Sequence, residues 1–303
     1  MIHRRKPRPQ SESRQSLRLS IRSILRQTPL HIGWQWIASA YAALKQRNRF
    51  AQVQTYCCFV GHGRSGHSIV GALLDAHRDI ILSDELDALK YVEMRFSRDQ
   101  VFSLVAKVAA DQARSKRQKS GREGQVYSYL VPGQWQGRAP QPLVIGDSRA
   151  AGSVKRLANN PALLARLRSL MAGIDLRFVQ VVRNPFDTIA TMMLRTGRHF
   201  DSAYQEYFHN WEAVSILRSR LRENEFLVVS HEALLADPQA ELGRLCSFLG
   251  VDCDQGYLGA CGGILYGAPS KSRDSIEWMP DQRATIEDHL AGIPELRRYS
   301  FDS

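Results

Sequence analysis

The sequence predicts an α/β protein, with a P-loop-like parallel β-sheet flanked by helices on both faces. Three observations carry this. Short apolar, β-prone runs at 54–61, 79–83, 142–147, 176–182 and 225–230 alternate with helical segments, the pattern of a parallel sheet covered on both sides. The first run, QTYCCFVG, enters the glycine-rich stretch VGHGRSGHS (60–68), and SIVGALLDAH (68–77) follows as a helix. Strand, glycine loop and helix in that order are the context of a phosphate-binding loop. The 303 residues, 44% of them hydrophobic, can bury a sizeable core.

The N-terminal region differs from the rest. Residues 1–50 hold eleven Lys or Arg and one acid, Glu12, for a net +10. Of the 41 basic and 30 acidic residues in the chain, 30 and 29 then remain in residues 51–303, a net +1. The domain reading is therefore a basic N-terminal helical extension, 1–50, and one main domain, 51–303. Arg14, Arg18, Arg22 and Arg26 recur every four residues, and Leu17, Ile21, Ile24 and Leu25 form a neighbouring apolar stripe. Such a helix can lie on an anionic membrane surface or pack its apolar side on the body. Residues 27–44 carry no formal charge but include Gln, His and Ser and are of marginal length for a span. They read as a soluble or interfacial helix, so peripheral membrane contact is assigned to 14–44. The long basic lead-in fits a secretory signal poorly.

In the main domain, DIILS (79–83) is the second strand and 85–110 is mostly helical. Residues 111–140 are polar, basic and glycine-rich, a long loop or lid. PLVIGD (142–147) is a strand and 154–172 a helix. LRFVQVV (176–182) is a buried strand ending at Arg183-Asn184-Pro185. Helices follow from about 186 and over 203–222. EFLVVS (225–230) is a strand, 238–250 a helix stopped by Gly250, and 280–291 a last helix. The five cysteines form no CxxC pair and no zinc spacing. They read as reduced thiols of a cytoplasmic protein, with Cys57 and Cys58 as strand core. The near-neutral main domain argues against a nucleic-acid-tracking face.

The loop has Walker spacing, Gly61, four residues, Gly66, but His67 stands where the lysine belongs and Ser68 follows. Gly61, Gly63 and Gly66 let backbone N–H groups close on a phosphate, Ser68 can donate a hydroxyl, the helix start adds its positive end, and Arg64 is the fixed cation; Ser65 and His67 complete the loop's candidate cofactor-binding residues. A cation moved into the loop suits a shorter anion than a triphosphate, such as the 5′-phosphosulfate of 3′-phosphoadenosine-5′-phosphosulfate (PAPS). That ligand also needs a site for its 3′-phosphate. Arg183 at a strand's C-terminal end and Thr191, eight residues on, are the candidates. The alternative for Arg183 is a structural ion pair with Asp187 or Asp147.

At these residues the chain resembles the PAPS-dependent sulfotransferases. GRSGHSIVGALLDAHRDIILSDE is similar to the family's 5′-phosphosulfate loop and helix, especially that of tyrosylprotein sulfotransferases and their bacterial relatives. VVRNPFDTIAT resembles the 3′-phosphate motif, VVSHEALLADPQAELGRLCSFLGV the downstream "YE-x-L…P…FLG" segment, and SKSRD with Trp278 the C-terminal segment of bacterial members. The match covers about residues 54–300. It implies the sulfotransferase fold, PAPS as co-substrate with adenosine 3′,5′-bisphosphate as product, no metal, and a hydroxyl acceptor: carbohydrate, lipid, tyrosine or small metabolite. It also implies Glu85 as base, with Asp84, Asp87 and the histidines His62, His67 and His77 as alternatives. Arg273 becomes a 3′-phosphate contact, with Lys271 a weaker candidate, and Trp135, Tyr127 and Tyr129 acceptor-pocket aromatics. The chain departs from the family at Gly63 (usually Pro), His67 (usually Thr) and Ser148 (often Lys), where Arg149 or His67 would supply the charge. The competing reading is a P-loop kinase or NTPase with a degenerate loop and Asp147 as metal-holding acid.

Overall fold

The computed structural model describes residues 29–120 and 126–303. Its strands are β1 Thr55–Gly61, β2 Ile80–Ser83, β3 Gln118–Ser120, β4 Val126–Ser128, β5 Val144–Asp147, β6 Asp175–Val182 and β7 Phe226–Ser230. Five of them make one sheet in the order β2-β5-β1-β6-β7, every pair parallel; β3 and β4 pair antiparallel as a separate hairpin. All five stretches predicted as strands are in the main sheet.

The helices are α1 Pro29–Gln46, α2 His67–Asp75, α3 Ala88–Glu93, α4 Arg98–Arg114, α5 Ala150–Asn159 and α6 Leu163–Leu170, then α7 Pro185–Thr196, α8 Phe200–Arg218, α9 His231–Ala236, α10 Pro238–Leu249, α11 Gln255–Gly262 and α12 Pro280–Ala291. Every residue of β1 is buried, and its side chains divide by alternation. Tyr56, Cys58 and Val60 join a core with Phe102 and Val105 of α4, Val154 of α5 and Leu167 of α6. Cys57 and Phe59 join another with Leu73 of α2, Leu245 of α10 and Leu258 of α11. A third cluster gathers Val182, Phe186 and Ile189 with Tyr207 of α8 and Leu290 of α12. The sheet is thus covered on both faces, as its apolar strands require.

Two segments depart from expectation. The helix expected over 154–172 is split in two at Asn160-Pro161, because the residue before proline is pushed out of the helical region; Asn160 has φ −131° and ψ 87°. Residues 111–140 are not a free lid. The first of them extend α4, and Val131 and Ala139 are buried. Gln136 donates to Ala72 O at 3.0 Å and Tyr129 O at 2.8 Å. Only the β3–β4 hairpin stands over the sheet's C-terminal edge, anchored by a buried ion pair between Arg117 and Asp75 of α2.

Residues 29–50, grouped by charge with the extension, pack on the main domain. Gln100 of α4 donates to Trp36 O at 3.0 Å, and the Phe50 ring meets Phe102 edge-on at 5.8 Å. The arginine stripe 14–26 lies outside the described residues. Among those described, no helix is long and apolar enough to cross a membrane. All five cysteines are free, and Cys57 and Cys58 are strand core as expected.

Candidate active site

β1 has β5 on one side and β6 on the other, so the chain changes side across it. The crevice beyond the strand's C-terminal end at such a switch point is where open α/β sheets bind ligands. The glycine loop occupies it. Gly66 has φ +95°, and a Cβ there would meet His231 Cδ2 at 2.2 Å, so this position needs glycine twice over. Gly63 has neither a positive φ nor a neighbour within 4 Å of a Cβ, so a relative can carry proline there. Arg64 holds φ +69°, a strained value for a side-chain-bearing residue of the kind concentrated at functional sites. Its exposed side chain lines the cavity. Ser65 turns inward, its hydroxyl donating to His62 O at 2.9 Å. No side chain caps α2, which leaves its first N–H groups to an anion.

On the β2 side, Glu85 also sits at positive φ, +62°, and Asp87 at +67°. Asp147 at the end of β5 holds this turn. Its carboxylate accepts from Leu86 N at 3.1 Å, Ala88 N at 2.9 Å and Ser83 Oγ at 2.8 Å. Burial pushes the Asp147 carboxyl up to about 6, against those hydrogen bonds. Asp147 is therefore committed to the backbone of the turn, which removes the metal-holding acid of the kinase reading. Glu85 Oε1 meets His67 Nε2 at 3.1 Å, and its Oε2 lies 3.8 Å from Arg149 Nε. Asp84 is a hub: it accepts from Ser68 Oγ at 3.1 Å and Ser148 Oγ at 3.2 Å, and pairs with Lys119. His67, Asp84 and Glu85 bring potential ligand atoms within 4.8 Å of one another, and the Lys119 ammonium is the cation that Asp84 faces.

On the β6 side, Arg183 follows the strand and Asn184 caps α7, accepting from Phe186 N at 3.0 Å with Pro185 at the first helical position. Thr191 comes up on the following turns. Its hydroxyl oxygen is buried with no hydrogen-bond partner among the described residues. Arg183 lies 3.8 Å from Asp187 and donates to Ser270 O, so the structural pairing considered from sequence is present alongside the site placement.

These residues share one cavity of about 660 Å³, lined by Gly63, Arg64, Gly66, His67, Ser68, Glu85, Arg183 and Thr191. Tyr127 and Tyr129 line it as expected. Trp135 does not: it stands at a separate surface pocket with Arg78 and Gln141. Arg273 is also displaced from its expected role. It is 2% exposed, and its guanidinium donates to Ser300 O and Ser303 O, while its neighbours Ser270 and Ser272 line the cavity. Lys271 is exposed and not part of the lining. Two of the alternative bases are structural. His62 is stacked on Tyr207 at 4.1 Å, bonded to Tyr207 O, and held near 4 by burial; His77 is bonded to Asp252 O.

Three basic lining residues escaped the sequence reading. His231, the first residue after β7, is held neutral near 4 by burial and then by Arg183, and its Nδ1 is buried without a partner. Its place at a strand end was the available signal. Arg195 follows Thr191 by four residues on one helix face. Lys119 had no signal: the hairpin register Lys119↔Tyr127 brings it in.

The model of the family described as "Sulfotransferase family" matches residues 58–255, more than half of the 303-residue chain. The chain belongs to the sulfotransferase family. A search of curated proteins finds no match. Among solved structures, the sulfotransferase domain of a Synechococcus olefin synthase is similar at TM-score 0.46 and 18% identity, over 69% of this chain and 78% of that one. A sulfotransferase from Alicyclobacillus acidocaldarius gives 0.45 and 17%, over 83% and 98%. A mouse sulfotransferase complexed with PAP gives 0.43 and 11%, over 86% and 95%. Family membership rests on the family match, which spans the glycine loop, Glu85, Arg183 and Thr191.

Proposed function

We propose that this sulfotransferase moves a sulfuryl group from PAPS to a hydroxyl-bearing acceptor, with Glu85 as the base. The observation that carries the reading is a pair of anion places facing one cavity. One is the glycine loop with Arg64; the other is Arg183 beside the buried, unpartnered Thr191 hydroxyl. A ligand with phosphates at both its 5′ and 3′ ends fits this pair, and the cavity is of the size usual for such ligands.

PAPS, when bound, supplies the activated S–O bond. The loop N–H groups, the start of α2 and Arg64 would hold the 5′-phosphosulfate. Arg183 and Thr191 would hold the 3′-phosphate. Glu85, pinned between His67 and Arg149, would take the acceptor's proton as its oxygen attacks sulfur. As the sulfur–oxygen bond to the 5′-phosphate breaks, Arg64 and the helix N–H groups would stabilise the charge left on that oxygen. His67, whose Nε2 meets Glu85 Oε1 at 3.1 Å, would link the loop to the base. Lys119, Tyr127 and Tyr129 would form the acceptor wall.

A thermal-shift comparison tests this. Adenosine 3′,5′-bisphosphate without metal should stabilise the protein by several degrees, and Mg-ATP should do little. Stabilisation by Mg-ATP alone would return the kinase reading.

A further inference from the structure

Helix α1 has two faces with different fates. Ile32, Ser39 and Ala43 turn toward the body. Trp34, Ile37, Tyr41 and Leu44 recur at spacings of three and four on the opposite side. They are 66%, 59%, 61% and 79% exposed. The helix has no acid in its first turn and Lys45 in its last, with Arg47 just beyond. A contiguous apolar face of this kind marks an interaction site rather than ordinary surface.

We propose that this face docks on an anionic lipid bilayer, with α1 lying in the plane of the interface. One Trp ring and one Tyr ring on the same face, Trp34 and Tyr41, suit a boundary that is apolar below and wet above. Charge complementarity points the same way. Residues 1–50 carry a net +10 against +1 for the remainder, so in sequence the basic excess runs directly into this helix, with Lys45, Arg47 and Arg49 at its far end, a charge that complements anionic headgroups. The same charge would oppose a second copy docking face to face. The helix lies on the bilayer and does not span it: no described helix is apolar enough for a span.

The test is flotation of the full chain with vesicles of phosphatidylcholine alone and of phosphatidylcholine with phosphatidylglycerol. The protein should float with the anionic vesicles only, and brominated lipids should quench its tryptophan emission. Replacing Trp34, Ile37, Tyr41 and Leu44 together by Ser should lower vesicle affinity by at least about tenfold while binding of adenosine 3′,5′-bisphosphate stays unchanged. No flotation with either vesicle, or flotation without quenching by brominated lipid, would overturn the proposal. So would a wild-type dimer in ultracentrifugation that the quadruple variant converts to monomer, since that makes a second copy the occupant. The quenching measurement on the wild type decides the matter even if the variant fails to fold. The nucleotide reading and this one fail separately, because neither readout depends on the other.

Discussion

The cavity has two walls made by different means. The wall of Gly63–Ser68, Arg183 and Thr191 hangs on the ends of β1 and β6, central strands whose partners fix them along their length. The wall of Glu85, Lys119, Tyr127 and Tyr129 hangs on a turn and a hairpin. Side-chain bonds hold that wall: Asp147 to the turn, Asp84 to Ser68, Ser148 and Lys119, Arg117 to Asp75. Under the proposed function the first wall would bind the nucleotide and the second would carry the reaction. The first is secured by main-chain pairing, and the second depends on buried charges that must stay paired.

Substitutions can break that comparison at several points. Glu85→Gln should cost turnover on the order of 10²- to 10⁴-fold, the usual worth of a general base, while nucleotide affinity stays near wild type. Steady-state kinetics beside calorimetry would read both; undiminished turnover rejects Glu85. Arg117→Ala should cost about 3–5 kcal/mol in urea unfolding, since it leaves the Asp75 carboxylate buried alone.

Asp147 gives a pH dependence. Burial raises its carboxyl from the ordinary 3.8 to about 6, so the folded protein binds this proton more tightly than the unfolded chain. Its contribution to stability is present below about 4 and falls as pH rises through about 6. Asp147→Asn removes that dependence. The variant's stability relative to wild type should therefore climb over this window by up to about 3 kcal/mol, read as melting temperature against pH. A flat difference would mean the carboxyl titrates normally.

On the first wall, Arg183→Ala should weaken adenosine 3′,5′-bisphosphate binding by about 10- to 100-fold, and Thr191→Val by tenfold or less, in proportion to charged and neutral hydrogen bonds. Thr191→Val should leave the unfolding midpoint near wild type, and Arg183→Ala, whose Asp187 partner keeps its bond from Arg273 N, should lower it less than Arg117→Ala does. A shift with Thr191→Val, or one with Arg183→Ala as large as that of Arg117→Ala, would make the first wall structural too.

The two walls also differ in how far they could be read in advance. The strand–loop–helix sequence of β1 and α2 is local, so Gly61, Arg64 and Gly66 declare themselves by spacing. Arg183 and Thr191 stand at a suggestive place after a strand, but an ion pair of Arg183 with Asp187 or Asp147 explains that place equally, and the resemblance to the family's 3′-phosphate motif decides between them. Glu85 was legible only through its resemblance to the family's loop segment. Lys119 was not legible, because pairing between two short strands in a polar stretch decides which side it faces. Arg273 misled for the converse reason. Its residue type and position matched the motif, but Asp187 binds its backbone N–H and the chain's end takes its guanidinium. Trp135 was drawn away by the packing of the 129–143 strap against α2 and β2, seen in the bond from Trp135 N to Ala76 O.

The central claim is that one cavity holds a 5′- and a 3′-anion at once. Calorimetric titration with adenosine 3′,5′-bisphosphate and with adenosine 5′-monophosphate, both without metal, tests it directly. The account predicts at least about tenfold tighter binding of the bisphosphate, with the preference lost in Arg183→Ala. Equal affinity for the two nucleotides, or a preference that survives Arg183→Ala, would contradict it.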